Sequence, residues 1–124
     1  MGTVKRTVVG TRSSGSPLSP AVRYGDLLLV SGQTAADLVG LEAQAHAVLK
    51  KIRDLVQAAG GDLGDVLRCG VYLSDIRLRD RMNAVYAEYF RDEPPARTTI
   101  ECKMADAAVL VEIDCVAAIP QVDK

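Results

Sequence analysis

Hydrophobic and polar positions follow two different periods along this chain. Residues 4 to 9, Val-Lys-Arg-Thr-Val-Val, have the β-branched character of a strand, and residues 10 to 20, rich in Ser, Gly and Pro, read as a structured loop suited to the mouth of a ligand site. Leu27-Leu28-Leu29-Val30-Ser31 is a continuous apolar run closed by Ser31-Gly32-Gln33. It predicts a central strand covered on both faces, with Gly32 free to let the backbone turn or approach a ligand closely.

From about Leu41 to Ala59 the apolar positions Val48, Leu49, Ile52, Leu55, Val56 and Ala59 keep helical spacing, with Lys50, Lys51, Arg53, Asp54 and Gln57 opposite. Gly60-Gly61 supplies the stop. Residues 66 to 74 alternate, placing Leu67, Cys69, Val71 and Leu73 on one face and Arg68, Gly70 and Tyr72 on the other. A second helix is predicted from about Leu78 to Phe90, with Met82, Val85, Tyr86, Tyr89 and Phe90 as its apolar stripe, and Pro94-Pro95 cannot continue it. Strands over 96–103 and 109–119 complete the order strand, strand, helix, strand, helix, strand, strand.

This order predicts an α+β fold, a single sheet with two helices packed on one face, in one domain over residues 1–124. In the last strand Val109, Val111, Ile113, Cys115, Ala117 and Ile119 share one face, while Leu110, Glu112, Asp114, Val116 and Ala118 share the other. The second face is too apolar for a fully wet surface, and burial against another subunit is the economical reading.

Composition removes several classes of function. Fifteen basic and sixteen acidic side chains are mixed along 124 residues, so there is no basic footprint for nucleic acid. The N-terminus lacks a signal-peptide core and no apolar run approaches a membrane span, which predicts a cytoplasmic protein without a membrane partner. Cys69, Cys102 and Cys115 lie in separate apolar runs and are odd in number, the pattern of buried thiols rather than a disulfide set. His46 is the only histidine, and a lone helical histidine is expected at the surface, with neither a zinc site nor a Ser-His-Asp arrangement around it. Tyr86 and Tyr89 read as helix packing with wet hydroxyls, and Tyr24 as a residue of the mouth.

Candidate chemistry centres on Arg97, in Pro94-Pro95-Ala96-Arg97-Thr98-Thr99. The prolines hold the approach to it extended, and a guanidinium forks bidentately onto carboxylates. A regular strand sends Arg97, Thr99, Glu101 and Lys103 to one side, and Glu112 and Asp114 project together from the strand next in sequence. An Arg and a Glu would then flank one pocket. The same spacing equally describes a cross-strand salt bridge of small net worth.

Several segments in register resemble the RidA (YjgF/YER057c/UK114) family across nearly the whole chain. They are Gly25-Asp26-Leu27-Leu28-Leu29-Val30-Ser31-Gly32-Gln33, the helix with Ala43-Gln44-Ala45 and Ala58-Ala59-Gly60, Asp65-Val66 through Tyr72-Leu73-Ser74-Asp75, Asn83 to Phe90 leading into Pro94-Pro95-Ala96-Arg97-Thr98-Thr99, and Val111-Glu112-Ile113-Asp114. The resemblance implies a chorismate-mutase-like fold and a homotrimer whose sheets form a central barrel with the helices outside. Its sites lie between subunits and use no metal or organic cofactor. It further implies hydrolysis of reactive enamines and 2-imino acids, such as 2-aminoacrylate, to 2-oxo acids and ammonia. Arg97 matches the arginine that clamps the carboxylate of a small imine or 2-oxo acid. Glu112 matches the glutamate that orients or activates water, Ser31 and Gly32 match a turn lining the cleft, and Thr99 stands where the family often has Cys.

Two departures bear on specificity. Ser16-Pro17-Leu18-Ser19 stands where the family commonly has Gly-Pro-Tyr-Ser, so Leu18 replaces a site tyrosine and makes that wall apolar. The segment from Thr34 to Gly40 is shorter than the usual loop. Both leave a second class open, a small-molecule-binding or specialised-pathway trimer without turnover.

Overall fold

The computed structural model describes residues 6–120, so positions 4 and 5 of the first predicted strand lie outside the described residues. The strands are β1 (Arg6–Val9), β2 (Ala21–Tyr24), β3 (Leu27–Gln33), β4 (Val66–Leu73), β5 (Ala96–Glu101) and β6 (Val111–Ala118), and the helices are α1 (Leu41–Ala58) and α2 (Arg79–Tyr89). Among these, β2 was not expected. Ala-Val-Arg-Tyr is too short to show a period, and it becomes a strand by pairing antiparallel with β3 across Gly25 and Asp26, where Gly25 takes φ 60°.

The strands form one mixed sheet in the order β1-β2-β3-β6-β4-β5, with β4 and β5 parallel and every other pair antiparallel. Both helices cover one face. Their apolar stripes, Leu41, Val48, Leu49, Ile52 and Val56 from α1 and Met82 and Val85 from α2, pack on Leu28, Val30, Cys69, Val71, Leu73, Val111, Ile113 and Cys115. The strict alternation of buried and half-buried residues along β6 shows why that strand was legible in sequence.

Two one-residue bulges break the sheet's register. On β4, Val66 faces Ala117 and Arg68 faces Val116, which leaves Leu67 as the extra residue. Leu67 is therefore 54 % exposed instead of joining the core face with Cys69 and Val71. On β3, Val30 faces Cys115 but Gln33 faces Ile113, which places an extra residue at Ser31-Gly32.

Two polar side chains lock the layers together. Gln44 is 1 % exposed and spends its amide fully, donating to the Leu38 and Ala108 carbonyls and accepting from the Leu110 N–H. The Gln within Ala43-Gln44-Ala45 thus ties α1 to two connecting loops. Arg23 donates to the carbonyls of Gly25, Ala59 and Ile119, joining β2 to the end of α1 and the end of β6.

No helix among the described residues is long and apolar enough to cross a membrane.

Candidate functional site

The Arg97 half is built by β5 and α2. Edge strand β5 pairs with β4 so that Arg97 lies beside Cys69 and Thr99 beside Val71, both core residues on the helix side. Arg97 and Thr99 are half-buried there, while Ala96, Thr98 and Ile100 face away. The guanidinium donates from Nη2 to Asn83 Oδ1 at 2.7 Å and rests over the Tyr86 ring, 4.7 Å from its centroid. Asn83 and Tyr86 are one helical turn apart on α2 and so share a face. Among the described residues Asn83 takes up one of the five guanidinium N–H donors, leaving the fork available to a carboxylate. Two residues along, Thr99 Oγ1 is buried with no hydrogen-bond partner among the described residues.

Tyr86 corrects an expectation. Its hydroxyl is buried and unpartnered among the described residues, and burial, with the Cys69 thiol beside it, pushes its ionisation far upward. Its ring packs in the core beneath Arg97, as expected of the apolar stripe, but its hydroxyl is not wet. Tyr89, by contrast, has an engaged hydroxyl, 2.8 Å from Nδ1 of His46, whose Nε2 lies 3.8 Å from Glu88. Cys69 and Cys115 are buried, and burial pushes the Cys115 thiol up to about 12. Cys102 is half-buried and so departs from the core position expected for all three.

The Glu112 half is built by β3, β6 and the loop before β2. Glu112 alternates with core residues Val111 and Ile113 and so faces away from the helices. It lies across Gly32 so closely that a Cβ on residue 32 would run into its carboxylate. The glycine in Ser31-Gly32-Gln33 leaves the room that the carboxylate occupies, and any side chain there would displace it. Ser31 donates its hydroxyl to the Ser19 carbonyl at 2.6 Å, and its N–H bonds the Pro20 carbonyl at 2.9 Å, which pins the loop carrying Leu18 to the bulge. Leu18 itself is 57 % exposed. Burial, followed by the charge of Asp114, raises Glu112 above the ordinary carboxylate range.

These two halves do not meet within one chain. Arg97 and Thr99 sit on the helix side of β5, whereas Glu112 sits on the opposite face of β6, with β4 between the two strands. The expectation of one pocket flanked by an Arg and a Glu assumed that β5 and β6, consecutive in sequence, are neighbours. They are not, because β5 is added parallel to the outer side of β4. The cross-strand ion pair is excluded by the same geometry.

Glu112 does line a depression of about 230 Å³ with Tyr72, Cys102, Lys103, Met104 and Asp114. A larger hollow of about 790 Å³ lies on the helix side around Arg53, Gln57, Leu63, Tyr89 and Arg91, and none of the candidate residues borders it. Among the described residues no three His, Cys, Asp or Glu side chains converge to hold a metal ion.

A single mixed sheet carrying two helices on one face, with an arginine behind a diproline and a glutamate over a Ser-Gly-Gln bulge, defines the class of protein. The family model described as endoribonuclease L-PSP matches residues 11–119. A RutC family protein of Saccharolobus solfataricus is 38% identical over 122 residues, covering 90% of this chain and 97% of that one. Among solved structures, a member of the YjgF/YER057c/UK114 family from Mycobacterium tuberculosis is 32% identical with a TM-score of 0.84, covering 93% of this chain and 100% of the other. RidA from an Antarctic Psychrobacter is 28% identical with a TM-score of 0.84, covering 91% and 99%. The chain belongs to the RidA (YjgF/YER057c/UK114) family.

Proposed function

We propose that the protein is a cofactor-free hydrolase of reactive 2-imino acids and their enamine tautomers, 2-aminoacrylate among them, releasing 2-oxo acids and ammonia. The observation that carries this reading is the Arg97 half-site. A guanidinium fixed by Asn83 and Tyr86 presents its free N–H groups beside the unpartnered hydroxyl of Thr99. A carboxylate on Arg97 and an adjacent polar group on Thr99 would satisfy both.

Arg97 clamps the carboxylate and so places the C=N carbon. Glu112 takes a proton from the attacking water as its oxygen bonds to that carbon, and the π pair passes to nitrogen. With one proton taken up at nitrogen the adduct is a carbinolamine, and it collapses to the 2-oxo acid as its hydroxyl proton passes by way of Glu112 to nitrogen, the C–N bond breaks and ammonia leaves. Gly32 lies against Glu112, the loop that carries Leu18 is pinned to Ser31, and an apolar Leu18 at the mouth would favour substrates bulkier and less polar than the smallest imino acids.

Because the halves lie on opposite faces, one site takes Arg97 and Thr99 from one copy and Glu112 from the next. A homotrimer meets this need by burying the face that the helices leave open. Leu27 and Leu29 on β3 and Ile100 on β5 are 46, 51 and 44 % exposed on that face in the single chain, apolar surface that further copies would cover.

The test generates 2-aminoacrylate with a pyridoxal-phosphate dehydratase and follows its capture by semicarbazide. The wild-type protein is expected to compete with the trap and Arg97→Ala to fail. Absence of acceleration across imino acids of increasing side-chain size, with 2-oxo acids still bound, would replace the hydrolase with a binding trimer.

A further inference from the structure

Beside Glu112 stands a polar cluster of Tyr72, Asp114 and the Gly70 backbone. In the β4–β6 ladder Gly70 faces Asp114 and Tyr72 faces Glu112. The Tyr72 hydroxyl donates to Asp114 Oδ2 at 2.9 Å, and the Gly70 N–H donates to Oδ1 at 3.1 Å. Both oxygens of Asp114 are thereby fixed. The space exists because residue 70 has no side chain, since a Cβ there would lie 2.5 Å from Asp114 Oδ1 and 2.7 Å from the Tyr72 hydroxyl. The bulge on β3 lies against this stretch of β6 from the other side, so Glu112 and Asp114 are held between Gly32 and the Gly70 notch.

Hydrolysis of a C=N bond needs a proton in both directions. Water must lose one as its oxygen joins carbon, and nitrogen must gain one before it can leave as ammonia. A carboxylate that is ionised throughout can accept the first proton but has none to deliver at the start. A carboxyl group balanced between its two forms near working pH serves both steps.

We propose that Tyr72 and Asp114 are a positioning pair for Glu112, in which Asp114, clamped by Tyr72 and the Gly70 N–H, fixes a negative charge that favours the protonated form of Glu112, so that Glu112 hands a proton to the imine nitrogen and, as the carboxylate so formed, takes one from the attacking water. This rests on the hydrolase reading above. The groups facing Glu112 are Tyr72 from β4, Asp114 on its own strand, Gly32 from β3, and Cys102 and Lys103 from the β5–β6 connection. Of these Asp114 favours the protonated form and the Lys103 ammonium opposes it. The upward displacement of Glu112, owed first to burial and then to Asp114, agrees with this arrangement. Tyr72 is also displaced upward, chiefly by its bond to Asp114, so it stays a donor at neutral pH.

The test follows the side-chain carboxyl of Glu112 by carbon-13 NMR from pH 3 to 9, assigned with Glu112→Gln. Asp114→Asn is expected to lower the titration midpoint of Glu112. Gly70→Ala, which expels Asp114 from its notch, is expected to reproduce most of that change, and Tyr72→Phe less than half of it. In turnover of 2-aminoacrylate, Asp114→Asn should move the alkaline limb of the kcat profile to lower pH and reduce kcat about tenfold at pH 8, leaving KM within about twofold. A Glu112 midpoint that stays put or rises in both Asp114→Asn and Gly70→Ala overturns the proposal. If the wild-type protein shows no turnover, the hydrolase reading falls, and the titration still decides whether Asp114 governs Glu112.

Discussion

Arg97 and Glu112 occupy opposite faces of one sheet, on strands separated by β4. Neighbouring strands are about 4.8 Å apart, so the two side chains are divided both by roughly two strand spacings and by the sheet itself. A reaction that needs both must therefore be performed between copies.

The Glu112 carboxyl is raised by burial and by Asp114. A carboxyl whose folded value is raised contributes stability that is fully present below its unfolded value, about 4.3, and is lost as pH rises through the folded value. Glu112→Gln removes that loss. The melting temperature of the variant relative to wild type is expected to climb from pH 4 to pH 8, measured by calorimetry in matched buffers. A difference that is flat or falls with pH would show that the folded environment does not disfavour the charge.

Gln44 makes three buried hydrogen bonds to Leu38, Ala108 and Leu110. Gln44→Leu keeps the volume but strands two carbonyls and one N–H, which costs about 3 kcal/mol and lowers Tm by roughly 10 °C. Denaturant unfolding checks the first figure. A loss below about 1 kcal/mol would mean that water or a relaxed loop satisfies those groups.

Leu29 is 51 % exposed on the sheet face opposite the helices, between Val22 and Val116 in the register. If that face is the subunit interface, Leu29→Asp buries a charge there and dissociates the assembly. Light scattering should give three times the 13.2 kDa chain mass for the wild type and the single-chain mass for the variant. Unchanged mass would place the interface elsewhere.

Much of this arrangement was legible in the sequence, and the illegible part has a common cause. Helix α1 and strand β6 announce themselves because one face of each is buried and the other is not. In β5, Ala-Arg-Thr-Thr-Ile-Glu carries no such contrast, and the simplest reading would turn Ile100 inward and Arg97 outward. The structure does the reverse, because α2 offers Asn83 and Tyr86 to the guanidinium, while Ile100 is 44 % exposed. Their spacing of three on one helix, with a polar residue amid an apolar stripe, was the available signal. The bulges at Leu67 and Ser31-Gly32 depend on cross-strand register, which no single segment encodes. The need for Gly32 could be suspected from sequence, but its reason, the carboxylate of Glu112 lying over it, is a tertiary fact.

The most direct measurement mixes two inactive proteins. Arg97→Ala keeps Glu112, Glu112→Gln keeps Arg97, and each alone should lack hydrolysis of 2-aminoacrylate. If a site takes Arg97 from one copy and Glu112 from the next, every mixed trimer holds one intact site of three. Co-refolding equal amounts should then restore about a quarter of wild-type activity by random assembly of a cyclic trimer. A mixture no more active than its components, with mixed trimers verified by native mass spectrometry and the wild type active in the same assay, would contradict a site shared between copies.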